Sequence, residues 1–493
     1  MLVMELERDE MKLNNVACEI QSIAYHTNQV TPGSCFVAIR GMKTDGHRYI
    51  NEAVARGAVA VVMEHDMPLP ETVTKILVED ARDTLARLSA RFFEEPSKQL
   101  TLVGITGTNG KTTIAYLLES ILVAARLRCG VISTVDARYP SSESVVTTLP
   151  ATHTTPESYV LQKLLREMVD HHVSHGVMEV TSHAIDLKRV VDCHFDGAIF
   201  TNLTPDHLDY HANLEQYYSC KEKLFTERLA VSEKPAVWSV VNWDDPYGRR
   251  LAQAIRTGPV LRTSLTEPVE IFTSSLQADW HGLQLTVETP RGSLNLHSPL
   301  LGRFNASNIL SAVGAALAMK LPMEAIASGI ASCRGAPGRL EEVPNTRNLK
   351  VLVDFAHTPN ALENVLTTLK PLIPGKLITV FGCGGDRDRG KRPMMGKIAA
   401  DLSDQVIVTS DNPRSESPQT IMDEIVTGMT PTGKKNFQMI IDRREAIRTA
   451  LAMAKQNDCV LIAGKGHERF QIIGEEKKSF DDHKIAGELL NGI

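Results

Sequence analysis

The chain has 493 residues, with 53 Lys and Arg against 59 Asp and Glu, a formal net charge of −6, and 43% hydrophobic and 23% charged residues. That length exceeds what one hydrophobic core organises and predicts three domains. The acidic balance argues against non-specific nucleic-acid binding, and no apolar run reaches the roughly 18–20 residues that cross a bilayer. The opening stretch "MLVMELERDEMKLNN" is acidic and lacks the basic-then-apolar pattern of a leader. Eight cysteines are scattered with no CxxC pair, as expected of reduced thiols in a cytoplasm. The expectation is a cytoplasmic monomer with neither nucleic-acid nor membrane partners.

Residues 1–98 read as a small α/β domain. "GSCFVAI" and "GAVAVVME" have strand character, "YINEAVARGA" between them has helix character, and "FFEEPSKQ" (92–99) reads as a linker. Residues 99–336 alternate strand, glycine loop and helix, then continue through the buried strands "HGVMEV", "DGAIFTNL" and "PAVWSVVN". That order predicts a P-loop ATPase-like domain with a mostly parallel sheet. "CRGAPGRLEEV" (333–343) marks a second boundary. Residues 337–493 then carry three strand-then-turn units, "GKLITVFGCGGD", "DQVIVTSDNPR" and "CVLIAGKGHE", the signature of a Rossmann-like domain that binds ligands at its strand ends. The fold class is α/β.

In "TLVGITGTNGKTT" (101–113) an apolar strand enters a glycine loop that opens a helix. Backbone N–H groups of Gly107, Thr108, Asn109 and Gly110 would face phosphate oxygens at the helix N-terminus. Lys111 would reach the β- and γ-phosphates of ATP, and the hydroxyl of Thr112, with Thr113 beside it, would bind Mg²⁺. The common loop places a glycine five residues before the GK glycine, but position 105 is isoleucine. The resulting pattern, with Gly104, Gly107 and Gly110, resembles the ATP loop of the Mur ligases and of the related folylpolyglutamate synthetases. These enzymes form amide bonds after phosphorylating a carboxylate with ATP.

Two strand ends follow, Glu179 in "HGVMEVTSHAIDLKR" and Asp206-His207 in "FTNLTPDHLDYH". A carboxylate and an imidazole beside a phosphate loop suit a second Mg²⁺, and both match the family's metal-binding segments. "YYSCKEKLF" supplies Lys221, with Lys223 two residues on. The resemblance implies that Lys221 is carbamylated and that the carbamate helps to fix the metal. An ammonium about 4 Å from a cation is opposed by a few kcal/mol even at an effective dielectric of 20, and a carbamate reverses that sign. The resemblance further places Asn308 of "FNASN" on the adenine, and Arg339, Asp354 and His357 around ATP from the third domain.

In "TSDNPRSESP" (409–418) a proline stiffens a turn after a strand, so Asp411, Asn412 and Arg414 are expected to project from it. Within the Mur family the run Asp411, Asn412, Pro413, Arg414 resembles enzymes that select meso-diaminopimelate. A guanidinium grips the far carboxylate that lysine lacks. By the same resemblance Arg387 in "GGDRD" takes the other carboxylate, while Gly464 and Glu468 in "AGKGHE" surround the far ammonium. Thr154, Thr155, Ser182 and Arg189 match segments that hold the acceptor.

The first domain departs from the family. His26, Thr27 and Asn28 stand where an Asp-Ser-Arg segment usually helps bind the uridine nucleotide, so only Thr27 keeps a hydroxyl. Leu187 stands where a glutamine is often found. The resemblance therefore implies ATP- and Mg²⁺-dependent ligation of meso-diaminopimelate to UDP-N-acetylmuramoyl-L-alanyl-D-glutamate through an acyl phosphate. A paralogous ligase with another carboxylate acceptor is the alternative that the His-Thr-Asn segment favours. A folylpolyglutamate-type ligase, which gives "DNPR" and "AGKGHE" no role, and a nucleotide-driven switch or binding protein without ligase activity are more distant alternatives.

Overall fold

The computed structural model describes residues 12–13, 19–41, 44–151, 153–207, 210–347, 349–429 and 436–492. The acidic opening stretch read above against a leader lies outside the described residues, apart from the backbone of Lys12–Leu13. Contacts divide the chain into two compact units, Met1–Ser264 with Ser311–Pro322, and Leu265–Leu310 with Met323–Ile493.

The first unit holds two sheets. The smaller runs in the order Lys12–Leu13, Thr74–Leu77, Ala58–Met63, Ser34–Val37, Ser22–Ala24. All its pairings are parallel except that of Lys12–Leu13. The larger places Thr101–Thr106 at its centre, between His175–Glu179 and Gly197–Phe200, with Cys129–Ile132 beyond the former and Trp238–Asn242 and Val260–Ser264 beyond the latter. These six strands are parallel, and their apolar runs are buried on both faces as such sheets require. Residues that line the site therefore leave the C-terminal ends of adjacent strands. Two antiparallel strands, Asp136–Pro140 and Val146–Pro150, extend the edge beyond Cys129–Ile132. The first is buried at its three central residues and the second is largely exposed, and the sequence pattern assigned neither.

The segment 92–99 is less loose than a linker. Pro96 and Ser97 are buried, the Ser97 hydroxyl accepts the His194 N–H at 3.1 Å, and Lys98 pairs with Glu95 and Glu233.

The second unit contains the antiparallel strands Ile271–Asp279, Gly282–Glu288 and Leu294–Ser298, and a six-stranded sheet. The latter runs Glu341–Glu342, Lys350–Asp354, Cys459–Ala463, Leu377–Phe381, Gln405–Val408, Phe437–Met439. It is parallel apart from its first pairing. Three of these strands are the expected ones. Lys350–Asp354 adds another strand end, bearing Asp354, that the sequence pattern left unassigned. Helices Pro359–Leu369, Lys391–Leu402 and Pro418–Met429 pack one apolar cluster, and Arg443–Met453 with Asp482–Asn491 pack a second. Among the described residues no helix is long and apolar enough to cross a membrane.

Candidate active site

The phosphate loop is fixed from beneath by the next strand end. Thr108 N–H donates to the Asn202 carbonyl at 2.8 Å, Asn109 N–H to the Asn202 side-chain oxygen at 3.0 Å, and the Thr201 hydroxyl to the Asn109 carbonyl at 2.6 Å. Gly107 has φ +140°, and a Cβ there would collide with the Thr201 hydroxyl, so only glycine fits. Gly110 caps the helix Lys111–Ala124, whose first turn buries Thr112 and Thr113. The Lys111 ammonium lies against the Gly107 and Thr108 carbonyls at 2.9 and 2.8 Å.

Glu179 is buried at the end of its strand. Its carboxylate accepts from the Thr112 hydroxyl at 2.8 Å and from the Thr134 N–H and hydroxyl at 2.9 and 3.1 Å. Sequence reasoning missed Thr134, which follows a strand in "VISTVD" and carries no motif. The Thr134 hydroxyl oxygen also lies 3.2 Å from that of Thr154. Lys221 is 1% exposed, whereas Lys223 is exposed. Lys221 Nζ donates to the same Gly107 carbonyl at 2.9 Å and sits 4.5 Å from the Tyr217 ring centre. Burial, and then the Lys111 charge, hold this amine well below the ordinary lysine range.

Hard oxygen donors from Thr112 and Glu179, already in contact, fit Mg²⁺. His207 stands apart in kind. Its side chain is 46% exposed, its ring packs 5.0 Å from that of His183, and its Nε2 is 3.7 Å from Asp206. Among the described residues no group of three or more His, Cys, Asp or Glu is arranged for a metal. The next residues of that segment, Leu208 and Asp209, lie outside the description.

A cavity of about 650 Å³ opens in the same unit, lined by Tyr25, His26, Thr27, Asn28, Arg82 and Glu157 among others. The three residues that depart from the family thus face one space. Of the other residues matched to the acceptor, Thr154 is half-buried. Thr155, Ser182 and Arg189 are buried and internally bonded. The Thr155 hydroxyl donates to the Glu179 carbonyl at 2.8 Å, and the Ser182 hydroxyl meets His211 Nε2 at 2.9 Å. Arg189 grips Glu157 at 3.0 and 2.9 Å and the Thr155 carbonyl at 2.9 Å. Arg82 reaches Glu157 from the first sheet's helix at 3.3 Å. Glu157→Gln is expected to cost about 1–3 kcal/mol, since it weakens charged hydrogen bonds from two guanidinium groups. A melting temperature equal to wild type would show that this carboxylate does not join the sheets.

In the second unit Asp354 is buried and accepts the Leu340 and Ala356 N–H groups at 2.8 Å each. Burial raises its pKa against the opposing charge of Arg339. Arg339 stacks 5.1 Å from the Phe355 ring, and His357 Nδ1 bonds the Phe355 carbonyl at 2.8 Å. Asn308 is buried and donates to Asn305 at 2.9 Å.

The "DNPR" turn corrects one expectation. Asp411, Asn412 and Pro413 are buried and do not project. The cause is the hairpin Phe470–Ile473/Glu476–Ser479, which packs on the turn through backbone-directed bonds. Ile472 N–H donates to the Asn412 side chain at 2.9 Å, and Gln471 Nε2 donates to the Asp411 carbonyl at 2.6 Å. Arg414 N–H donates to the Ile472 carbonyl at 3.1 Å, and its own carbonyl accepts from Gly474 at 2.8 Å. These bonds hold half-buried Arg414 at φ +51°, a conformation that costs a non-glycine residue about 1 kcal/mol or more. Its Nη1 donates to the Gly385 carbonyl at 2.8 Å and lies 3.5 Å from the Asn412 carbonyl.

Asn412 also donates to Glu468 at 2.8 Å, so one residue touches both the acid and the base expected to read a zwitterion. Fully buried Lys465, inside "AGKGHE" but not singled out, donates to Asn412 and Glu468 at 3.2 and 3.0 Å. Gly464 has φ +113°, and a Cβ would come within 2.9 Å of the Asp411 carboxylate. Arg387 is exposed on the neighbouring loop.

The sequence matches the Mur ligase middle domain over residues 105–316, the Mur ligase glutamate ligase domain over 338–466, and the Mur ligase family catalytic domain over 19–93. A UDP-N-acetylmuramoyl-L-alanyl-D-glutamate–2,6-diaminopimelate ligase of Geobacter metallireducens is 46% identical, covering 95% of this chain and 94% of its own. That of Geobacter sulfurreducens is 45% identical with the same coverage. The chain belongs to the Mur ligase family. A solved structure of a ligase with the same activity in its title superposes with TM-score 0.70 at 32% identity, covering 96% of this chain and 94% of that one. The mixed α/β architecture with parallel sheets is that of the three-domain Mur ligase fold.

Proposed function

We propose that this Mur ligase adds meso-diaminopimelate to UDP-N-acetylmuramoyl-L-alanyl-D-glutamate, with ATP as the energy source, in peptidoglycan precursor synthesis. The observation that carries the amino-acid assignment is Asn412, whose side chain bonds Glu468 and whose carbonyl lies 3.5 Å from Arg414 Nη1, so an acid and a base flank one residue. A diaminopimelate terminus carries the complementary pair, and lysine offers only the ammonium. We assign residues 1–98 to the nucleotide-linked acceptor, 99–336 to ATP and 337–493 to the amino acid.

The phosphate-loop N–H groups and Lys111 bind and orient the triphosphate, favouring charge that develops as the γ-phosphoryl leaves. Thr112, Glu179 and a carbamylated Lys221 would hold Mg²⁺, with His207 as the further ligand the family pattern supplies; bound there, the ion would neutralise phosphate charge. Thr134 and the Thr155 hydroxyl fix the Glu179 side chain and carbonyl. Asn308 and Arg339 serve the nucleotide, with Asp354 and His357 shaping the loop after their strand. Phosphorylation of the D-glutamyl carboxylate gives an acyl phosphate, which the amine attacks to form the amide and release phosphate. Arg387, Arg414 and Glu468 orient the amino acid, so catalysis is chiefly positioning and charge stabilisation.

One observation keeps a second acceptor in play, since His26, Thr27 and Asn28 all line the 650 Å³ cavity. The test is phosphate release with ATP, Mg²⁺ and UDP-N-acetylmuramoyl-L-alanyl-D-glutamate, with meso-diaminopimelate or L-lysine in parallel. Release with diaminopimelate alone, and a tripeptide product by mass, is the expected result. Silence with every amino acid, from folded protein that binds ATP, would transfer the assignment to another carboxylate acceptor.

A further inference from the structure

The loops carrying Arg414 and Glu468 leave strands that are not neighbours. Leu377–Phe381 lies between Gln405–Val408 and Cys459–Ala463, so no shared ladder sets their spacing. At their tips they are joined by the bonds of Asn412 to Glu468 and Lys465 and by the hairpin that follows Glu468, and an incoming ammonium would compete for the Glu468 carboxylate. At their roots a different group joins them. Arg443, the first residue of helix Arg443–Met453, donates from Nη1 to the Ser410 carbonyl at 3.4 Å and from Nη2 to the Ala463 carbonyl at 3.1 Å. Those carbonyls immediately precede Asp411 and Gly464.

Asp482 opens the C-terminal helix Asp482–Asn491 and receives Arg443 Nε and Nη2 at 2.8 and 2.7 Å. Both side chains are fully buried. Arg443 opposes the dipole of its helix while Asp482 favours that of its own, and a buried ion pair is often no more stable than hydrocarbon of similar volume. Stability alone therefore accounts poorly for the pair, whereas its hydrogen-bond geometry is specific.

We propose that Arg443, oriented by Asp482, is a positioning residue for amino-acid selection that holds the Asp411–Arg414 turn and the Gly464–Glu468 loop at one fixed separation. It acts through backbone carbonyls, so bound substrate does not displace it. Its charge is also felt by Asp411 and Glu468, which face it from the two loops. The inference rests on these loops being the amino-acid pocket.

The test compares full-length wild type, Arg443→Met, Arg443→Met with Asp482→Leu, and Asp482→Asn, for melting temperature and for steady-state kinetics with ATP, diaminopimelate and lysine. Arg443→Met leaves Asp482 buried without its partner, so both stability and kinetics suffer. The double variant removes that lone charge and regains melting temperature. Its KM for diaminopimelate is expected to stay about tenfold or more above wild type, with a similar loss of preference over lysine, and its KM for ATP within about twofold. Asp482→Asn keeps the shape and gives a smaller rise in the same KM. Wild-type KM and preference in any folded variant lacking Arg443 would overturn the proposal and leave the pair purely structural. A wild-type enzyme indifferent between the two amino acids would instead overturn the pocket reading, and the proposal with it.

Discussion

Lys221→Ala is expected to lower ligase turnover by on the order of 10³-fold or more, with no recovery in excess bicarbonate, while Lys223→Ala stays active. Lys221 is 1% exposed, and its amine shares the Gly107 carbonyl with Lys111. A second ammonium at that oxygen would meet both desolvation and like-charge repulsion, the two causes that lower its pKa. A neutral amine has the lone pair that attacks carbon dioxide, and loss of one N–H proton from the adduct leaves a carbamate anion with two oxygen donors. Bicarbonate cannot restore the alanine variant because there is no amine to modify. Lys223 is exposed and has neither constraint. Labelling with ¹³C-bicarbonate should give a carbamate resonance by NMR in wild type and Lys223→Ala but not in Lys221→Ala. Near-normal turnover in the Lys221 variant would remove the residue from the mechanism.

The strand-and-loop frame was legible because it rests on local rules. Continuous apolar runs such as Thr101–Thr106 and Cys459–Ala463 read as buried parallel strands, and the Gly107–Thr112 run as a phosphate loop, from neighbours in sequence alone. What stayed hidden depends on partners far along the chain. Asp411 and Asn412 look like solvent-facing turn residues until the hairpin some 60 positions later supplies its N–H groups and Gln471. Arg189 matches an acceptor-binding segment, yet its guanidinium is engaged by Glu157 and the Thr155 carbonyl. Arg443 and Asp482 are ordinary helix-start residues in sequence, and only burial reveals them as a pair.

Arg414→Lys is expected to reduce the preference for diaminopimelate over lysine by about 10²-fold, since hydrogen bonds to charged groups are worth roughly 1.5–3 kcal/mol each and 1.4 kcal/mol is a decade. The substitution keeps the positive charge and a similar cost for φ +51°, so the change isolates the planar fork of donors. One fork nitrogen, Nη1, is already placed by the Gly385 carbonyl, which aims the guanidinium and leaves the other nitrogens to meet a carboxylate. A lysine has one nitrogen to serve both purposes, and anchoring it to Gly385 withdraws it from the substrate. The loss should appear in kcat/KM for diaminopimelate, with the value for lysine little changed and KM for ATP unaffected. Glu468 remains on Asn412 and Lys465 in this variant, so the ammonium contact common to both amino acids survives. An unchanged preference would show that Arg414 does not read the far carboxylate and would shift that role to Arg387 or to the loop N–H groups beside Gly464.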